Sequence, residues 1–124
     1  MNRTAAFLFS IIAFAITVFP SVAQPPEVLW FNTFGGTEND QGRCVEQTSD
    51  GGFIAMGITN SFGWGNADAY LIKTDPNGNE LWFQTYGGSG SDYCEFVQQT
   101  NDEGFIFTGS TPSFGTSEEN LWLV

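Results

Sequence analysis

The chain has 124 residues, 14 carboxylates against three basic side chains, no histidine and a formal net charge of −11. That length holds one domain at most, the charge repels nucleic acid and anionic lipid, and the lack of histidine removes His-based triads and most zinc sites. Aromatics at 16% are too many for a disordered chain, and 15 glycines with few helix-forming stretches point to β structure rich in turns.

The first 23 residues read as an export signal. Arg3 gives a positive start, Ala5 to Phe19 is apolar apart from Ser10 and Thr17, and Ser21-Val22-Ala23 follows Pro20. The small-x-small ending predicts cleavage after Ala23. The run falls short of the roughly 20 residues needed to span a bilayer, which argues against an anchor. Without Arg3 the charge is near −12, since Arg43 and Lys73 remain against 14 carboxylates. Such a surface could attract cations, but solubility explains it as well. Residues 24–28, with Pro25-Pro26, form an extended lead-in.

From Leu29 onward the chain repeats itself at a constant offset of 52 residues. Residues 29–72 laid over 81–124 give 20 identities in 44 pairs. Leu29-Trp30-Phe31-Asn32-Thr33-Phe34-Gly35-Gly36 returns as Leu81-Trp82-Phe83-Gln84-Thr85-Tyr86-Gly87-Gly88, and Ser61-Phe62-Gly63 returns as Ser113-Phe114-Gly115. A fixed period of this size marks a solenoid, propeller or array. The first copy spans 29–80 and the second, shorter one 81–124.

Four strands are predicted in the first copy: Val28 to Thr33, Arg43 to Thr48, Phe53 to Thr59 and Asp68 to Thr74. Ser49-Asp50-Gly51-Gly52 joins the second and third. Its counterpart Asn101-Asp102-Glu103-Gly104 has Glu at the third position, so Gly52 and Gly104 are expected to be the left-handed residues of a type I turn with a glycine bulge. In Asp75-Pro76-Asn77-Gly78, Pro76 presets the first corner and Gly78 takes the positive φ. The second copy repeats strands over Tyr93 to Thr100, Gly104 to Ser110 and Asn120 to Val124, the last read as an unfinished fourth strand. Four short antiparallel strands per period, apolar on both faces, fit the blades of a β-propeller. One full unit and most of another predict an incomplete propeller, a piece of a longer protein whose bare sheet faces need other blades or chains.

The segments Trp82 to Asp92, Asp50 to Gly57 and Ala69 to Asn79 together resemble the bacterial secreted β-propeller repeat family, over Leu29 to Val124. The resemblance implies several copies in large exported or cell-surface proteins. It carries no catalytic residues, because members of that family mostly lack an assigned activity.

Candidate sites are few. Cys44 and Cys94 in an exported chain allow a disulfide. Cys94 aligns with Gly42, two positions from Cys44, so the thiols are expected on the same strand face of equivalent sheets, one pointing toward the neighbouring sheet and one away. Two small buried hydrophobes is the favoured reading. Asp75, Asn77 and Asn79 alternate oxygen-bearing side chains as a calcium loop does, but Gly78 and Glu80 are misplaced for one, and a hairpin turn explains them fully. Glu38, Asp40, Asp92, Glu118 and Glu119 fall in loops, where paired carboxylates could hydrolyse glycosides; a solvated acidic surface is the default. Phe62 recurs as Phe114, which indicates packing. Trp64 becomes Thr116, so the scaffold does not need it, and it is the better candidate for a ligand contact. No cofactor is expected. The chain is read as an exported scaffold binding extracellular protein or glycan, with a glycan-active hydrolase or a gene remnant as alternatives.

Overall fold

A computed structural model describes residues 27–116 and 118–124. The expected signal peptide, 1–23, and most of the lead-in lie outside them. The described residues form an all-β structure of two antiparallel sheets. The first has four strands in sequential order, β1 (Asp40–Gln47), β2 (Phe53–Thr59), β3 (Asp68–Thr74) and β4 (Glu80–Tyr86). The second has three, β5 (Tyr93–Gln99), β6 (Phe105–Thr111) and β7 (Asn120–Leu123). No helix among the described residues is long and apolar enough to cross a membrane.

The sheets stack face to face. Ile54, Met56, Ala69 and Leu71 of the first meet Cys94, Val97 and Phe107 of the second in one buried cluster, and Cys44, Tyr86, Phe105 and Trp122 pack against it. Strand β3 is buried along its whole length, as its unbroken Ala69-Tyr70-Leu71-Ile72 run demands. Aromatic pairs bridge the sheets: Tyr86 with Phe107 at 5.0 Å and Trp82 with Phe105 at 5.9 Å between ring centroids. Phe62 packs on Tyr70 and Phe83, and its copy Phe114 on Trp122.

The sheets are out of phase with the sequence repeat. Strand β4 begins the second copy of the repeat, yet it pairs with β3 of the first copy, Leu71 opposite Gln84 and Lys73 opposite Trp82. This corrects the expected strand at Val28 to Thr33. That segment is the repeat counterpart of β4, but it is no strand, because no preceding sheet is present among the described residues to receive its hydrogen bonds. Trp30 nevertheless lies against Phe53, centroids 5.6 Å apart, as Trp82 lies against Phe105. Asn32 Nδ2 also donates to the Gly78 carbonyl at 2.6 Å. By the same offset, Asn120–Leu123 is the third strand of its sheet rather than the fourth.

The β1–β2 connection is a type I turn with a bulge, but the left-handed residue is one earlier than expected. Gly51 has φ 81° and its copy Glu103 has φ 67°. Gly51 N donates to the Thr48 carbonyl and Glu103 N to that of Thr100. Glutamate is thus tolerated at a strained position, held by a turn in which Thr100 Oγ1 donates to the Asp102 carboxylate. Gly52 is glycine for a different reason: a Cβ there would run into the Thr74 carbonyl and lie 2.7 Å from Lys73 Nζ.

The thiols also depart from expectation. Gly42 pairs with Gly57 and Cys44 with Met56, so Arg43 is an extra, bulged residue. A bulge shifts the alternation by one, which places Gly42 and Cys44 on opposite faces. Glu95 is bulged in the same way. Both cysteines therefore lie at the same junction between the sheets, and both are free thiols. Cys94 Sγ donates to the Gly57 carbonyl of the other sheet at 2.8 Å. Burial, with a smaller contribution from Cys44, pushes the Cys94 thiol up to about 12, and burial raises Cys44 as well. Protonated thiols in this setting pack as small hydrophobes.

Relief of the left-handed strain outweighs the added chain entropy at residue 103. Glu103→Gly should raise stability by about 0.5–1 kcal/mol in urea denaturation.

Candidate functional site

The loop carboxylates divide into two groups. Asp40 and Asp92, which the sequence places on an acidic surface, are structural. Asp40 Oδ1 accepts from Thr59 Oγ1 at 2.5 Å, and Oδ2 from Ser61 Oγ at 2.7 Å and Gly36 N at 2.9 Å. The second sheet repeats this around Asp92, which is fully buried and accepts from Thr111 Oγ1, from Ser113 Oγ at 2.7 Å and from Gly88 N at 2.8 Å. The hydroxyls of Thr59 and Thr111 accept in turn from Ser61 N and Ser113 N. Each network pins the loop entering a sheet to the loop leaving its second strand. Glu38, Glu118 and Glu119 remain exposed. The distinguishing signal was in the sequence: Gly36, Asp40, Thr59 and Ser61 are identical in the second copy, whereas Glu38, Glu118 and Glu119 are not matched.

Burial pushes Asp40 up, but the hydrogen bonds from Thr59, Gly36 and Ser61 outweigh it and hold the carboxyl below its ordinary 3.8. Asp68 goes the other way. It is 2% exposed, and Trp64 N donates to Oδ2 at 2.7 Å. Burial, followed by the partial relief of that hydrogen bond and the charge of Asp92, leaves its carboxyl raised.

Asp75 is occupied by its own turn. Oδ1 accepts from Asn77 N and Asn79 N, and Oδ2 from Asn79 Nδ2, each at 2.8 Å. Gly78 closes the turn at φ 78° as expected. No group of three or more metal-ligating acidic, cysteine or histidine side chains occurs among the described residues. Trp64 is 80% exposed on its loop and has no aromatic partner among the described residues.

A different place gathers polar and aromatic groups. A cleft of about 410 Å³ opens between the sheets at the end carrying the tight turns, lined by Ser49, Asp50, Lys73, Trp82, Gln99, Glu103 and Phe105. Lys73 is buried. Its Nζ donates to both Asp50 oxygens, at 2.9 and 3.1 Å, and to the Thr74 carbonyl at 2.8 Å. Thr48 and Lys73, with Gly52 N, hold the Asp50 carboxyl far below its ordinary value. Ser49 N donates to Gln99 Oε1 at 2.8 Å across the junction. Trp82 is 40% exposed, and its ring stands edge-on to Phe105. A neighbouring recess is lined by Glu46, Ser49, Gln99, Thr100, Asn101 and Glu103. There Glu46 Oε2 is buried without a hydrogen-bond partner. The sequence did not reveal this site, because its residues come from both copies and meet only through the stacking of the sheets.

Comparisons with protein-family models, curated proteins and solved structures found no match.

Asp92→Ala strips three donors of their acceptor inside the fold and should cost about 3 kcal/mol, whereas Glu38→Ala should change stability by less than about 0.5 kcal/mol, both read from denaturant midpoints. Carboxyl-carbon NMR titration should place Asp40 below 3.8 and Asp68 above it. The stability Asp40 contributes is then present above pH 3.8 and lost as pH falls through its lowered value. That of Asp68 is present below pH 3.8 and lost as pH rises through its raised value.

Proposed function

We propose that the chain is an exported scaffold of propeller-type blades that binds glycan in the cleft between its sheets. The observation that carries this reading is the cleft itself, which sets a partly exposed Trp82 ring beside the Asp50–Lys73 pair, Gln99 and Glu103. Sugars present an apolar ring face for an aromatic side chain and a rim of hydroxyls for charged and amide groups. The recess beside the cleft adds Glu46, whose buried Oε2 has no hydrogen-bond partner among the described residues and would accept from a sugar hydroxyl that enters the recess. The repeat family resemblance and the export signal agree with a role at the cell surface or outside the cell. The acidic net charge disfavours anionic polysaccharides and favours neutral ones.

A hydrolase built on the same cleft would need one carboxyl kept protonated near neutral pH as general acid. Asp50 is shifted in the opposite direction by the hydrogen bonds from Thr48 and Lys73, so binding without turnover is the reading put forward.

The purified chain, screened against neutral oligosaccharides by calorimetry, should bind at least one without hydrolysing it. Gln99→Ala and Glu46→Gln should each weaken that binding about five- to tenfold, the effect of one lost hydrogen bond. Binding that survives both substitutions, or product release from the bound sugar, would refute the assignment of site or of role.

A further inference from the structure

We propose that the cleft between the sheets takes an amino sugar with a free amine, whose ammonium group is received by Glu46 in the adjoining recess. This rests on the glycan reading of the cleft and narrows it to one chemical class.

The cleft and the recess share Ser49, Gln99 and Glu103, so they form one continuous depression. Three carboxylates line it, Glu46, Asp50 and Glu103, against one basic group, Lys73. Lys73 has no N–H to spare, because its three donors meet three acceptors, the two Asp50 oxygens and the Thr74 carbonyl. Asp50 accepts further from Thr48 Oγ1 and Gly52 N. That ion pair is closed. Glu46 and Glu103 form no salt bridge among the described residues, so the depression carries uncompensated negative charge. Neutral donors are fewer. Gln99 Oε1 is taken by Ser49 N, which leaves the Gln99 amide N–H groups for a sugar hydroxyl.

The two uncompensated acids differ in setting. Glu103 is exposed, where water solvates it. Glu46 stands opposite Ile54, which is fully buried at the junction, so it shares the face of the first sheet that is turned toward the second. Its Oε2 is buried and receives no donor among the described residues. A buried carboxylate oxygen left in that state is costly. A hydroxyl would relieve part of the cost. An ammonium group supplies opposite charge and a charge-assisted hydrogen bond, roughly twice as strong as a neutral one. The half-exposed Trp82 beside the same depression also favours a cation over an anion.

The repeat separates this acid from the scaffold. The counterpart of Glu46 is Gln98, which pairs with Ile106 as Glu46 pairs with Ile54. The counterpart of Glu103 is Gly51. The sheet therefore forms with a neutral amide at this register position, and the carboxylate occurs only where the recess is.

Three probes test this by calorimetry in mildly acidic buffer with about 0.15 M salt, which screens charges remote from the site. They are the β-1,4-linked tetramer of glucosamine, its fully N-acetylated form, and cellotetraose, which has a hydroxyl in place of each amine. The glucosamine tetramer should bind about tenfold more tightly than cellotetraose, and N-acetylation should abolish that advantage. Glu46→Gln, which places the residue of the second copy at this position, should bring the ratio of the two affinities close to one. Residual cellotetraose binding and unchanged circular dichroism report that the variant is folded. Glu38→Gln removes the same charge from an exposed loop and should leave the ratio intact. A glucosamine tetramer that binds no better than cellotetraose would overturn the proposal. So would a preference that survives Glu46→Gln, or one that Glu38→Gln lowers equally. The glycan reading itself falls only if the screen of neutral oligosaccharides also yields no ligand.

Discussion

The ladder between β3 and β4 ties one copy of the repeat to the next. A sheet with two apolar faces is unstable alone, and here one face of each sheet is covered by the other. By lending its first strand to the sheet before it, the second copy fixes both the order and the spacing of the two sheets. The Tyr86–Phe107 and Trp82–Phe105 contacts then follow, because Tyr86 and Trp82 sit on a strand hydrogen-bonded to one sheet while their rings pack on the other. The cleft that gathers Lys73, Trp82, Gln99 and Glu103 exists only because of this stacking.

The Asp–Thr–Ser networks solve a separate problem. Loops of glycine and small polar residues carry little apolar surface to hold them, so a carboxylate at the base of each loop gathers hydroxyl and amide donors instead. A charged acceptor with three donors is stronger than neutral hydrogen bonds and defines one loop conformation. That the set recurs intact around Asp40 and Asp92 shows it belongs to the unit of structure, not to a site.

Much of this was legible in the sequence. Phe53–Thr59, Asp68–Thr74, the Gly78 turn and the packing role of Phe62 followed from alternation, turn chemistry and the comparison of the two copies. What was misread depended on partners remote in sequence or on local insertions. Val28–Thr33 has the composition of a strand, but a strand needs a neighbour, and composition does not say whether one is present. Bulges at Arg43 and Glu95 reversed the faces of Cys44 and Cys94, and one extra residue leaves no mark on a hydrophobic pattern. The left-handed Glu103 escaped notice because glutamate is rare there, and Gly104 beside it offered an easier explanation. The cleft was invisible because no single stretch contains it.

The central claim is that the unit of structure is shifted from the unit of sequence by one strand. Residue-resolved amide hydrogen exchange, on a sample dilute enough to be monomeric, tests it most directly. The account predicts that the amides of Leu81–Tyr86 that face β3 are strongly protected while their counterparts in Leu29–Phe34 exchange freely. Equal protection of both segments in the monomer, or rapid exchange throughout Leu81–Tyr86, would contradict it.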